Sequence, residues 1–252
     1  MVYAISYMIC DALRGKKATL MLSSGDTPRP RTKEDYAYDV LRSAILRCEL
    51  KPGDRLVMDT LSQQLGISSI PMRAAFQRLQ AEGLVDITPH IGAVVTDLEP
   101  INIEEVSLVL ERLELMGFEL AVACVTAEDI ARLRGHLAEM DKVLTRSDTD
   151  RWTELNREFH RSVAGLSKNK LLLEFTVRSL DSWIRLRRWY MPEVVLQLQQ
   201  AQEEHYRMVD LLELRDLHAL RDLLFDHHER IRNMHRRAVS ARGDAPQAAI
   251  TR

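Results

Sequence analysis

The amino-acid sequence predicts a mainly α-helical protein with an N-terminal winged helix-turn-helix domain and a C-terminal antiparallel bundle of helices. Three features favour this fold class. Residues 66–92 read as a short helix between two glycines, followed by two apolar runs around a Pro-bearing turn, which is typical of a helix and a hairpin. Beyond residue 100, apolar residues recur every three or four positions in long segments. Only ten Gly and eight Pro occur in 252 residues, and 46% are hydrophobic, so two helical domains can each bury a core.

Composition limits the classes of protein that the chain can represent. It carries 35 Lys and Arg against 37 Asp and Glu, so any nucleic acid must be recognised through the local placement of cations and not through net charge. Three Cys lie far apart without paired spacing, which favours a reducing, cytoplasmic environment and no disulfide framework. No apolar run is long enough to span a bilayer, and residues 1–13 lack the basic start of a signal peptide.

The chain opens with an extension, residues 1–31, that we expect to be flexible, and Met21 is a second possible start. The winged helix domain is predicted over residues 32–97. Its first helix covers residues 34–48, where apolar positions recur at helical spacing, and residues 51–54 form a turn that ends it.

The rest of this domain follows from its caps and glycines. Asp59 is predicted to cap the second helix, which closes at Gly66. The third helix begins around Ile70 and Pro71, because Pro is tolerated in a first turn, and ends at Gly83. Two short strands follow at residues 84–87 and 93–96, joined by a wing at residues 88–92.

The third helix is the predicted DNA-reading element. A helix of this size fits the major groove, its N-terminal amides can meet a phosphate, and Arg73 can reach a base edge. The residues predicted to contact DNA are Arg55, Ser68, Ser69, Arg73, Arg78, His90 and Gly92. The alternative is a winged helix used only for protein contacts, since residues 31–99 carry slightly more acids than bases.

A resemblance to a known family begins in this domain. The segments GDRL, LSQQLGIS, PMRAAFQRLQAEGLV and PHIGAVV resemble the winged helix of GntR-family transcription regulators. The resemblance implies a homodimer that binds a two-fold symmetric DNA operator. The chain departs from the family pattern at Ser69, where Arg is usual, at Ile70, where Thr is common, and at Ala74, where Glu is usual. The operator sequence therefore does not follow from the resemblance.

A linker at residues 98–101 leads to the predicted helical domain, residues 102–240, which is followed by a flexible tail at residues 241–252. An antiparallel bundle is the simplest packing for its segments. The predicted helices lie near residues 102–124, 127–146, 150–165, 168–189, 194–213 and 217–239.

Three of these helices carry polar groups on their apolar faces. Asn156 and His160 share the inner face of one helix, and His205 and His227 occupy the apolar stripes of two others. Inward polar groups are costly unless paired, and a divalent metal such as zinc, nickel or manganese would pair with all four. The same periodicity predicts the remaining histidines to be surface residues: His136, His218, His228 and His235.

A second resemblance coincides with this cluster. The segments NREFH, EEHYRMVDLLELRD and DHHER resemble the FCD effector-binding domain of the FadR subgroup, in which D-x-x-x-H and two later histidines hold a metal. The resemblance implies Asn156, His160, His205 and His227 as metal ligands and a small carboxylate as effector. Asn156 replaces the usual Asp, and this neutral, weaker ligand leaves the site more positive and favours an anion. A metal-free pocket is the alternative.

The arginine that holds the carboxylate in many relatives is missing, because Leu110 occupies its position before the pair formed by Leu113 and Glu114. Arg112 and Arg185 are the predicted substitutes, with Arg187 and Arg188 close to the latter. The complete prediction is a transcription regulator, in the commoner case a repressor, that releases DNA when a carboxylate binds. Two alternatives stay open: a metal-dependent enzyme acting on a small acid, and a metal-free sensor of acyl-CoA or an organic acid. The enzyme would need a general base, and Glu158 lies off the inner face.

Overall fold

A computed structural model describes residues 32–88, 92–99, 101–190 and 198–242. The chain divides into two compact units between Leu98 and Glu99, which we describe separately. The predicted extension at residues 1–31 and most of the predicted tail lie outside the described residues. Within the described ranges, every helix is too short or too polar to cross a lipid bilayer.

The first unit is a winged helix. Its elements are α1 (Lys33–Leu46), β1 (Arg55–Leu56), α2 (Met58–Leu65), α3 (Ser69–Ala81), β2 (Val85–Thr88) and β3 (Gly92–Val95). The strands form an antiparallel sheet in the order β1-β3-β2. β1 was not predicted, because two residues are too few to show a period.

Helix α1 packs on α3 and forms most of the core of this unit. Thr32 caps α1 by accepting a hydrogen bond from the amide of Asp35 at 3.0 Å. The helix ends two residues earlier than predicted, because Cys48 adopts a left-handed conformation with φ of 57°. The buried side chains shared by the two helices are Ala37, Leu41, Ala44, Ile45, Met72, Ala75, Phe76 and Leu79.

Of the two caps predicted for α2, the C-terminal one is confirmed and the N-terminal one is wrong. Gly66 ends the helix in the left-handed conformation, with φ of 65°, as expected. The prediction for Asp59 is wrong, because Val57 occupies the N-cap position and Asp59 lies in the first turn, where its charge favours the helix dipole.

Both strands of the hairpin are displaced by one residue from the prediction. The amide of Leu84 donates to the carbonyl of Leu79 and closes α3, so β2 begins only at Val85. Val85 then pairs with Val95, and Thr88 pairs with Gly92. Residues 89–91 lie outside the described residues, and the predicted DNA contact of His90 falls there.

The described part of the second unit is a helical bundle, which confirms the predicted fold class. Its helices are α4 (Ile101–Cys124), α5 (Ala127–Leu144), α6 (Thr149–Leu166), α7 (Lys170–Tyr190), α8 (Leu198–Leu214) and α9 (Leu217–Arg242). Their ends follow local chemistry: Thr126 and Asp129 form a capping box at α5, and Asp148 caps α6. Ser147 and Arg215 adopt positive φ at the breaks before α6 and α9.

Helix α4 contacts α6, α7 and α9, and α8 packs between α5 and α9. The core of the bundle includes Phe118, Met140, Trp152, Phe159 and Met208, all at most 2% exposed. Acidic side chains of α4 meet basic side chains of α9 along a line that we call the α4–α9 seam. Its pairs are Glu104 with Arg236 at 2.6 Å, Glu111 with Arg232 at 2.6 Å, and Glu114 with His228 at 2.8 Å.

Candidate metal centre and DNA-reading face

Helix α3 presents the residues predicted to read DNA. Ser68 is the N-cap of α3 and its hydroxyl makes no capping hydrogen bond in the described structure, so it is available to a phosphate. Ser69 and Arg73 are exposed on the first turns of the helix. Arg55 is exposed on β1. Gly92 lies beside it, since a Cβ added at Gly92 would be 3.9 Å from the guanidinium of Arg55.

Arg78, which is predicted to contact DNA, is engaged within the winged helix. Its guanidinium donates to Asp35 at 2.8 Å and lies 3.8 Å from the centre of the Tyr38 ring. Tyr38 in turn contacts Glu82. Arg78 therefore ties α3 to α1.

The bundle brings three predicted metal ligands together. His160 on α6, His205 on α8 and His227 on α9 each offer a ring nitrogen, and the three nitrogens lie within 4.8 Å of one another. Their side chains are almost fully buried. Asn156 lies one turn before His160 and lines the same cavity, and its Oδ1 is buried without a hydrogen-bond partner among the described residues. We call His160, His205 and His227 the three-histidine cluster.

The electrostatics of the cluster suit a metal ion. Neither ring nitrogen of His205 has a hydrogen-bond partner within the described structure. Burial, followed by repulsion from His160 and His227, holds the pKa of His205 well below its ordinary value. Burial also lowers the pKa of His227 to about 4, although Glu204 opposes this shift. The neutral rings of His205 and His227 present lone pairs, which is the state that a divalent metal requires.

Two buried carboxylates contact the Nδ1 atoms of His160 and His227 and orient these two rings. Oε1 of Glu114 lies 2.8 Å from Nδ1 of His160. Glu204 contacts Nδ1 of His227 and accepts a hydrogen bond from Arg230 at 3.0 Å. Burial would raise the pKa of Glu204, but these contacts outweigh it and lower the pKa to about 2. Carboxylates of this kind fix the rings of metal-binding histidines and leave Nε2 for the metal.

The prediction that His228 lies on the surface is wrong. Its side chain is buried, and Nε2 meets Oε2 of Glu114 at 2.8 Å. Burial would raise the pKa of Glu114, but contacts with His160 and His228 hold it well below its ordinary value. Sequence reasoning missed this arrangement, because α9 packs on α4 as well as on α8 and therefore buries two faces.

The other histidines differ from one another. His218 is exposed, as predicted. His136 is half-buried and not a surface residue, because its Nε2 contacts the carbonyl oxygen of Leu155 at 2.7 Å. The side chain of His235 lies outside the described residues.

A cavity of about 60 Å³ adjoins the three-histidine cluster. Most of its wall is apolar, including Leu110, Trp152, Trp183, Ile231 and Met234.

The two arginines predicted to bind an effector do not line the cavity. The side chain of Arg112 is 72% exposed and lies 3.7 Å from Glu111, and Arg185 is buried elsewhere in α7. The cations in the wall are Arg187 and Arg230. Periodicity along α7 did not distinguish Arg187, which lines the cavity, from Arg185, which does not.

Two family models match the chain. The model described as "Bacterial regulatory proteins, gntR family" covers residues 33–95, and that of the FCD domain covers residues 105–230. A transcriptional regulator from the TAR-I ttuE-ttuC' intergenic region of Agrobacterium vitis is 32% identical over 155 residues, which are 60% of this chain and 91% of that protein. The Nta operon transcriptional regulator of Aminobacter aminovorans is 35% identical over 139 residues, which are 55% of this chain and 65% of that protein.

Solved structures share the fold. E. coli McbR/YncC has a TM-score of 0.71 at 23% identity, covering 81% of this chain and 97% of that chain. A GntR regulator from Rhodococcus sp. RHA1 has a TM-score of 0.67 at 21% identity, covering 83% and 98% respectively. At these identities the likeness concerns architecture alone.

Proposed function

The chain belongs to the gntR family of bacterial regulatory proteins and carries an FCD domain, and from this premise we propose that it is a repressor whose bundle binds a divalent metal and a small carboxylate effector. Membership of this family makes the chain a DNA-binding transcription regulator. The observation that carries the finer proposal is the buried three-histidine cluster, in which His205 lacks a partner for either nitrogen among the described residues.

The metal would be held by Asn156, His160, His205 and His227. Buried polar atoms without partners are costly, and a metal ion would remove this cost at one ring nitrogen of His205 and at Oδ1 of Asn156. Zinc suits imidazole ligands best, and nickel or manganese are also compatible with the set. When bound, the metal would supply a positive charge and a Lewis acid to which an anion could bind.

The neutral ligand set favours an anionic effector. Three neutral imidazoles and the amide of Asn156 leave the charge of a divalent metal uncompensated by its own ligands. The carboxylates nearby are already engaged, Glu114 with His160 and His228, and Glu204 with Arg230. A carboxylate that enters the cavity would therefore meet an excess of positive charge.

Helix α4 offers a route from this site toward the winged helix. It begins at Ile101, shortly after β3 ends at Val95 in the sequence, and it carries Glu114 beside His160. Effector binding that shifts Glu114 would act on the helix nearest in sequence to the DNA-binding unit. Thermodynamic linkage then requires operator DNA to weaken effector binding by the same factor by which the effector weakens DNA binding.

We expect a thermal-shift panel of organic acids to test metal and effector together. At least one small carboxylate, at a hundredfold excess over its Kd, should raise the unfolding temperature of zinc-loaded protein by about 5 °C or more. The same acid should have no such effect after treatment with EDTA, and it should release bound operator DNA in a mobility-shift assay. Stabilisation that is equal with and without zinc would instead favour a metal-free sensor, and no response to any acid would reject the effector class.

A homodimer is supported by an apolar stripe on α4. Val109, Met116 and Leu120 are 54%, 48% and 40% exposed and recur at helical spacing. A two-fold symmetric operator requires two copies of the winged helix, and a second copy of this chain would cover the stripe.

Met116→Glu should weaken dimer association at least about tenfold, because the interface would bury an unpaired charge. Sedimentation velocity across a concentration series measures this change. Leu214→Glu is the matched control, because Leu214 is 74% exposed at the end of α8 and should leave the dimer intact. A Met116→Glu protein with unaltered association would exclude this stripe as the interface.

A further inference from the structure

A cation lines the same cavity as the three-histidine cluster, beside Trp152. Arg187 projects from α7 into the cavity wall, and its guanidinium carbon is 5.8 Å from the centre of the Trp152 ring. The ring of His205 stacks on Trp152 at 6.1 Å with an interplanar angle of 22°. Trp152 therefore lies near both the candidate metal ligand His205 and Arg187.

The charge of Arg187 is not matched by a carboxylate within the described residues, unlike the charges of its neighbours. Arg230, which also lines the cavity, donates to Glu204 at 3.0 Å, and Arg188 donates to Asp150 at 3.0 Å. Burial, followed by the like charge of Arg188, lowers the pKa of Arg187 to about 10, so the guanidinium remains charged at neutral pH. A partly buried cation of this kind is costly until an anion joins it.

We propose that Arg187 binds a second acidic group of the effector, so that the effector is a small dicarboxylate. One carboxylate would take the open positions at the metal, and the other would accept paired hydrogen bonds from the guanidinium fork. The carbon chain between them would lie against Trp152, in a cavity whose wall is otherwise largely apolar. This inference rests on the proposed function and adds the class of acid and the residue that selects it.

Matched pairs of acids test the inference with full-length, zinc-loaded protein. Succinate and glutarate are compared by isothermal titration calorimetry with butyrate and valerate, which have the same carbon chains but one carboxylate. We expect at least one dicarboxylate to bind about tenfold or more tightly than its partner, because a charge-assisted pair contributes on this scale. Arg187→Met should remove this preference while leaving the weaker binding of the monocarboxylate unaltered.

Arg188→Met is the matched control, since Arg188 neighbours Arg187 on α7 and pairs with Asp150 outside the cavity. It should keep the preference for dicarboxylates. Arg187→Gln provides a second variant in case Met perturbs the fold, and zinc content together with circular dichroism checks that either protein is intact.

The outcomes separate this inference from the function on which it rests. Equal affinity for the two kinds of acid, or a preference that survives in both Arg187 variants, would overturn the dicarboxylate inference while the carboxylate sensor stands. If neither kind of acid binds the zinc-loaded wild type, the effector class itself is wrong and the inference falls with it.

Discussion

Replacing His205 by Ala should abolish tight zinc binding and remove the stabilisation that zinc gives to the bundle. His205 contributes one of three imidazoles, and it is the member of the cluster without a protein partner for either nitrogen in the described structure. At a zinc concentration one hundred times its Kd, the wild type should gain about 2.7 kcal/mol that the variant does not gain. Metal content after gel filtration and unfolding temperatures with zinc or EDTA measure the two effects.

A second substitution at the same position should not lower the stability of the metal-free protein. His205→Leu replaces a buried polar ring, packed between Trp152 and Phe159, by an apolar side chain. In EDTA this variant should be as stable as the wild type or more stable, because two buried nitrogens without partners are removed. With zinc present, the variant should be less stable than the wild type, which alone gains stability from the metal.

His218→Ala serves as the control for both substitutions, since the side chain of His218 is 91% exposed. Its zinc content and unfolding temperatures should match those of the wild type. A His205→Ala protein that retains stoichiometric zinc would refute the assigned ligand set.

Replacing Arg73 by Ala should weaken operator binding by about 1–3 kcal/mol and relax specificity at one base pair. Arg73 is exposed on α3, one turn after the N-cap Ser68, where an arginine of a reading helix reaches a base edge. An operator selected from random duplex DNA, followed by fluorescence anisotropy against each single-base variant, measures both effects. The unfolding temperature should not change, because the side chain is solvent-exposed.

Arg78→Ala is the informative counterpart on the same helix. The contacts of Arg78 with Asp35 and Tyr38 tie α3 to α1, so its loss should lower the stability of the winged helix by about 1 kcal/mol. At temperatures where the domain stays folded, operator affinity should fall less than in Arg73→Ala. The reverse pattern, with Arg78 dominating DNA affinity and Arg73 neutral, would show that the reading residue was misassigned.

Periodicity predicted much of the bundle and its site for a simple reason. A residue on the apolar stripe of an amphipathic helix must face the interior, so the inward positions of His160, His205 and His227 followed from spacing alone. Gly66 was equally readable, because a helix end that needs positive φ favours glycine.

Other features depend on which neighbour a face meets, and this information is not local. His228 and Glu114 are brought together across 114 residues, on faces that one-helix periodicity assigns to solvent or leaves unassigned. Arg187 lines the cavity, whereas Arg185, two positions earlier on the same helix, does not. β1 depends on pairing with β3, since two residues carry no pattern of their own.

The α4–α9 seam also bears on the order in which this chain can fold. It joins the first and last described helices of the bundle, so its pairs span more than one hundred residues. They form only after a long loop closes, which costs conformational entropy. Glu111 and Glu114 are buried, and without α9 their charges would lack Arg232 and His228. A ribosome completes the winged helix long before it releases His227. Each newly made molecule therefore passes through an interval in which its DNA-reading element is complete but its helical bundle is not.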